Sequence, residues 1–132
     1  MISIDEMEIM LDEIASEMPQ DFYKDLNGGI LLLPEMKLHA KSQGNDLYIL
    51  GEYYRDGNLG RYIAIYYGSF NIVYGYLSNE NLREQLRKTL KHEFRHHLES
   101  KAGDKSLEDQ DAQDIAKYVI LKSDNFTSNK DI

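Results

Sequence analysis

The chain has 132 residues, enough for one domain with a modest core. Its 15 Lys and Arg against 23 Asp and Glu give a net charge of -8, which argues against a general binder of nucleic acid or of anionic membrane. Hydrophobic residues at 42% exclude an intrinsically disordered chain, and the absence of cysteine excludes disulfides and thiolate metal sites.

The first residues, Met1-Ile2-Ser3-Ile4-Asp5-Glu6, contain neither the basic nor the apolar run of a signal peptide. No stretch has the apolar length of a membrane span, so a bacterial, cytoplasmic protein is expected. Ser3 and Glu6 form a capping box that opens a helix, with Ile4, Met7, Leu11, Ile14 and Met18 on its buried face. Pro19 ends it, and a second short helix is expected from Pro19 to Leu26, closed by Asn27-Gly28-Gly29. Ile30-Leu31-Leu32-Leu33 reads as a buried strand, and Glu35 to Asp46 as a polar loop that holds His39 facing solvent.

Leu47 to Tyr54 and Arg61 to Tyr67 read as two strands of a hairpin around the Asp56-Gly57 turn. With Ile30–Leu33 they make a small three-stranded, mainly antiparallel sheet. Its many tyrosines are expected to serve chiefly cross-strand packing. Gly68 to Leu77 is ambiguous between loop, helix and strand. Then Ser78 caps a long helix on which Leu82, Leu86, Leu90, Phe94 and Leu98 recur every four residues. Gly103 is its natural stop. A last helix is expected from Ser106, with acids in its first turns and Ala112, Ile115, Ala116, Val119 and Ile120 inside. The domain is read as residues 1–122, and 123–132 as a flexible tail.

The long helix carries His92-Glu93-Phe94-Arg95-His96, an H-E-x-x-H motif. Residues four apart share a helix face, so both imidazoles can reach one zinc ion. Glu93, directly after the first ligand, is then placed as the general base that takes a proton from a zinc-acidified water. A catalytic zinc wants a third protein ligand. His97 is about 100° round the helix from His96 and points away from the ion. Asp104, just past Gly103, is the leading candidate, followed by Glu108 and Asp111. Glu99 is better placed to accept a ring N–H from His96 than to bind the ion itself.

The stretch from Gly28 through His92-Glu93-Phe94-Arg95-His96-His97 resembles the small bacterial zincin-like metallopeptidases, the minimal zincins. The resemblance implies an α+β, zincin-like fold with the sheet laid over the metal helix. It also implies that an edge strand, here Arg61–Tyr67, adds an extended peptide substrate. Related zincins carry Gly three residues after the second histidine; this chain has Glu99, so its helix is expected to run on to Gly103. The functional expectation is a zinc-dependent peptidase acting on a peptide or protein. The alternative is a non-catalytic domain that binds a protein partner, its metal site structural or lost.

Overall fold

The computed structural model describes residues 1–44 and 47–103. Helix α1 (Ile4–Glu17) opens on the expected capping box: Ser3 Oγ accepts the Glu6 N–H and the Glu6 carboxylate accepts the Ser3 N–H. A 3-10 turn (Gln20–Tyr23) stands where the second helix was expected. Strand β1 (Gly29–Leu33) follows, then β2 (Lys37–Leu38), β3 (Tyr48–Ile49), β4 (Gly51–Asp56) and β5 (Gly60–Tyr66). Helices α2 (Tyr67–Tyr74) and α3 (Asn79–Gly103) complete the described chain. The architecture is α+β. The expected helix from Ser106 and the tail lie outside the described residues.

Two expectations change, and one open stretch resolves. The segment read as a loop after Pro34 contains β2, which pairs antiparallel with β3. Two residues are too few to show an alternation, so the pairing has no sequence signature. The ambiguous stretch is α2, which follows β5 without a connecting residue. The main sheet, ordered β1-β5-β4, is mixed rather than mainly antiparallel: β4 and β5 form the expected hairpin, but β1 runs parallel to β5 with Gly29 opposite Tyr62. Turn chemistry reports only strands adjacent in sequence, so the direction of β1 was not readable from it. The consequence is large. Strand β5 has a partner on each side and cannot be the substrate-accepting edge. Among the described residues the edges of this sheet are β1 and β4, and β4 is the one that lies along α3.

The helices cover one face of the sheet. Ile63 and Ile65 of β5 join Met7, Leu11, Ile14, Phe22, Phe70 and the α3 stripe Leu82, Leu86, Leu90, Phe94 and Leu98 in the main core. All five stripe residues are buried, as their spacing predicts. Phe94 packs its ring on Phe22 and Tyr23, with centroids 5.4 and 5.0 Å away. On the other face Ala64 and Tyr66 pack with Ile49. Two glycines allow close approaches. A Cβ on Gly51 would lie 3.0 Å from Thr89 Cγ2, so β4 sits directly on α3. A Cβ on Gly68 would lie 2.5 Å from the Met36 backbone nitrogen, so α2 sits against the β1–β2 connection.

Candidate functional site

Helix α3 presents three stripes. The leucine and phenylalanine stripe faces the core. Thr89, Glu93 and His97, one turn apart from each other, are all buried although polar. Their face meets β4: Thr89 approaches Gly51, and His97 Nδ1 lies 2.8 Å from the Tyr53 hydroxyl. His92 and His96 form the third stripe and line a cleft of about 880 Å³.

The two motif histidines converge. Their Nε2 atoms are 2.9 Å apart and their rings stand edge to face. A tetrahedral ion held at about 2.0–2.1 Å separates two nitrogen ligands by about 3.3 Å, so small ring rotations would fit this pair to one ion. Glu93 is 3% exposed and lines the same cleft. The helix runs through Glu99 to Gly103, as expected. Glu99 stands 3.9 Å from His96 Nδ1 and 3.7 Å from Arg95 Nε. That is beyond hydrogen-bond reach of His96, but it is on the side that leaves Nε2 turned to the cleft. Asp104, Glu108 and Asp111 lie outside the described residues. Among the described residues no third His, Asp or Glu joins the pair as a ligand group. The donors present therefore supply two of the three protein ligands that a catalytic zinc requires.

His97 is fully buried and belongs to the packing, as its angle on the helix predicts. Its Nε2 lies 2.8 Å from the Lys24 carbonyl oxygen. A carbonyl can only accept, so Nε2 carries the proton, and burial pushes the ring's pKa below the usual histidine range. Nδ1 is then an acceptor and the Tyr53 hydroxyl donates to it. Arg61 Nη1 donates to the Tyr53 oxygen at 3.1 Å and to Ser100 Oγ at 2.6 Å.

The cleft walls hold residues that motif reading missed. Ile49, Gly51, Glu52, Tyr53 and Arg55 put the β3–β4 segment along one side. His39, expected in a solvent-facing loop, also lines the cleft; its Nδ1 accepts the Lys41 N–H at 3.0 Å. It is carried there by β2, which is tied down by Lys37. The Lys37 ammonium donates to Glu52 Oε1 and to the Tyr54 hydroxyl, and its backbone N–H donates to Ser69 Oγ. Tyr54 and Tyr66 hydroxyls also donate to Glu52. Burial alone would raise the Glu52 carboxyl, but these three donors outweigh it and hold it below the usual range. The same contacts, Glu52 first, push Lys37 up to about 12. Tyr66 is pushed well above the usual phenol range by burial and by its Tyr54 and Glu52 contacts. Arg95, inside the motif, is not among the lining residues.

Comparison with known proteins places the chain. It is similar to a solved structure of a conserved hypothetical protein from Thermus thermophilus, with 33% identity and a TM-score of 0.68 over 78% of this chain and 100% of that one. At that identity and coverage the chain belongs to the family of that protein. Its description names no activity. No protein-family model and no curated protein matches the chain. No helix among the described residues is long and apolar enough to cross a membrane.

Proposed function

We propose that the protein is a zinc-dependent peptidase of the minimal zincin type. The observation that carries the reading is the convergence of His92 and His96 Nε2 at 2.9 Å beside the buried carboxylate of Glu93, in one cleft. His92 and His96 would hold the ion, with a third ligand from the chain beyond Gly103, Asp104 first. A bound zinc supplies Lewis acidity toward a carbonyl oxygen and toward water. Glu93 takes the proton from the attacking water and passes it to the leaving amine nitrogen. Its burial shields that proton transfer from bulk water. Strand β4, at the sheet edge above α3, offers backbone N–H and C=O groups along the cleft, so an extended peptide is the substrate geometry that suits it.

The test uses full-length protein without a histidine tag, reconstituted with one equivalent of zinc and offered unfolded casein or a mixed peptide library. Cleavage that a chelator removes, and that Glu93→Gln removes while zinc stays bound, is the expected result. Zinc binding unaffected by His92→Ala would overturn the site. Bound zinc without cleavage of any peptide would leave the non-catalytic, partner-binding reading.

A further inference from the structure

We infer that Tyr53 and His97 are positioning residues that fix the height of β4 above Glu93, an inference that rests on the peptidase reading. Thr89, Glu93 and His97 occupy successive turns on one face of α3, and all three are buried. Strand β4 is pinned to that face at both ends of a two-residue span. At one end Gly51 meets the Thr89 methyl, where a Cβ on Gly51 would lie 3.0 Å from Thr89 Cγ2. At the other, the Tyr53 hydroxyl bonds to His97 Nδ1 at 2.8 Å, its ring tilted on the imidazole at 5.3 Å. Glu93 lies one turn from each pin, so it sits beneath the strand between them.

The second pin is built to be rigid. His97 is held from behind by the Lys24 carbonyl at 2.8 Å, which ties it to the turn after the 3-10 helix. Tyr53 is held from above by Arg61 of β5, which also grips Ser100 on α3 itself. Sheet and helix therefore meet at one phenol, and the imidazole on its helix side is tied to the N-terminal turn. A hydroxyl with both its proton and a lone pair engaged cannot swing into the cleft, so Tyr53 acts through placement and not by contact with the reacting bond. Its loss would let β4 lift from α3 at one end. The scissile carbonyl of a peptide lying along the strand would then move relative to Glu93.

The test compares Tyr53→Phe with Tyr67→Phe, which removes a phenol hydroxyl donating to the Ile2 carbonyl outside the cleft. Both variants keep their rings, so both should fold. In the zinc-loaded protein Tyr53→Phe should lower kcat by about 10–100-fold, the scale of loss when a small shift misplaces the substrate relative to the catalytic group. KM should stay within about twofold and zinc content should not change, while Tyr67→Phe retains wild-type kcat and KM. A second readout needs no activity: the 13C side-chain carboxyl resonance of Glu93 in the metal-free protein should shift in Tyr53→Phe and not in Tyr67→Phe. An unshifted resonance, or a kcat equal to wild type, overturns the inference. A shifted resonance in a protein that cleaves nothing would sink the peptidase reading and leave the positioning intact.

Discussion

Replacing Phe94 by Ala tests the rotational setting of α3 on which the site depends. Phe94 is fully buried and packs on both Phe22 and Tyr23. Removing such a ring costs about 3–5 kcal/mol, the lost transfer energy plus the cavity left behind. Against a total of about 5–15 kcal/mol for a small domain, that is a large share. At about 4 °C per kcal/mol the melting point should fall by about 12–20 °C. His96, two residues further on, is rotated by about 200°, and its side chain is 44% exposed. His96→Ala in the metal-free protein should cost no more than about 0.5 kcal/mol. Urea unfolding followed by circular dichroism measures both, since the chain has no Trp to report by fluorescence. If Phe94→Ala cost under about 1.5 kcal/mol, half the low end of the expected range, or if His96→Ala cost as much as Phe94→Ala, the face assignments would be wrong. The imidazoles would then not point into the cleft.

Gly68→Ala forces a methyl to within 2.5 Å of the Met36 nitrogen and 2.7 Å of the Glu35 carbonyl carbon, both backbone. A cost of about 1–3 kcal/mol is expected, read as a lower urea midpoint at unchanged m-value. Lys37 has its pKa raised from 10.5 to about 12, so its contribution to stability is complete below 10.5 and disappears as pH climbs through 12. The group is half-exposed, so the effect should stay below about 1 kcal/mol, visible as the difference between wild type and Lys37→Met in alkaline unfolding curves. His39→Ala should leave zinc stoichiometry at the wild-type value and raise KM for peptides, because His39 lines the cleft but is not grouped with the histidine pair; loss of zinc would instead make it a ligand.

The long helix and its motif were legible because helical periodicity is local. Leu82 through Leu98 at four-residue spacing set the buried face, and that face fixes where His92 and His96 point. The α1 capping box was legible for the same reason. What escaped was non-local. The partner of β1 lies far along the chain, so neither its parallel direction nor the central place of β5 leaves a mark near Ile30. The wrong edge strand followed from that. His39 was missed because β2 is only two residues long, and it is the pairing of β2 with β3 that carries the imidazole to the cleft. The buried polar stripe Thr89-Glu93-His97 was present in the sequence at spacing four. It was obscured because Glu93 was read as the motif's base and His97 only by its angle from His96, so the two were never read as one face with Thr89.

Strand β4 divides its labour by parity. Glu52 and Tyr54 hold the Lys37 segment on one side, while Gly51 and Tyr53 seat on α3 from the other. One extra residue inserted between Leu50 and Arg55 would therefore exchange the two sets, undoing the anchor of β2 and the seat on the helix together. The Gly57-Asn58-Leu59 turn is exposed, and a Cβ on Gly57 would meet nothing within 4 Å. Length variation in this hairpin should accumulate at its tip and be purged from the strand beneath it, a pattern that scanning insertion mutagenesis can map residue by residue.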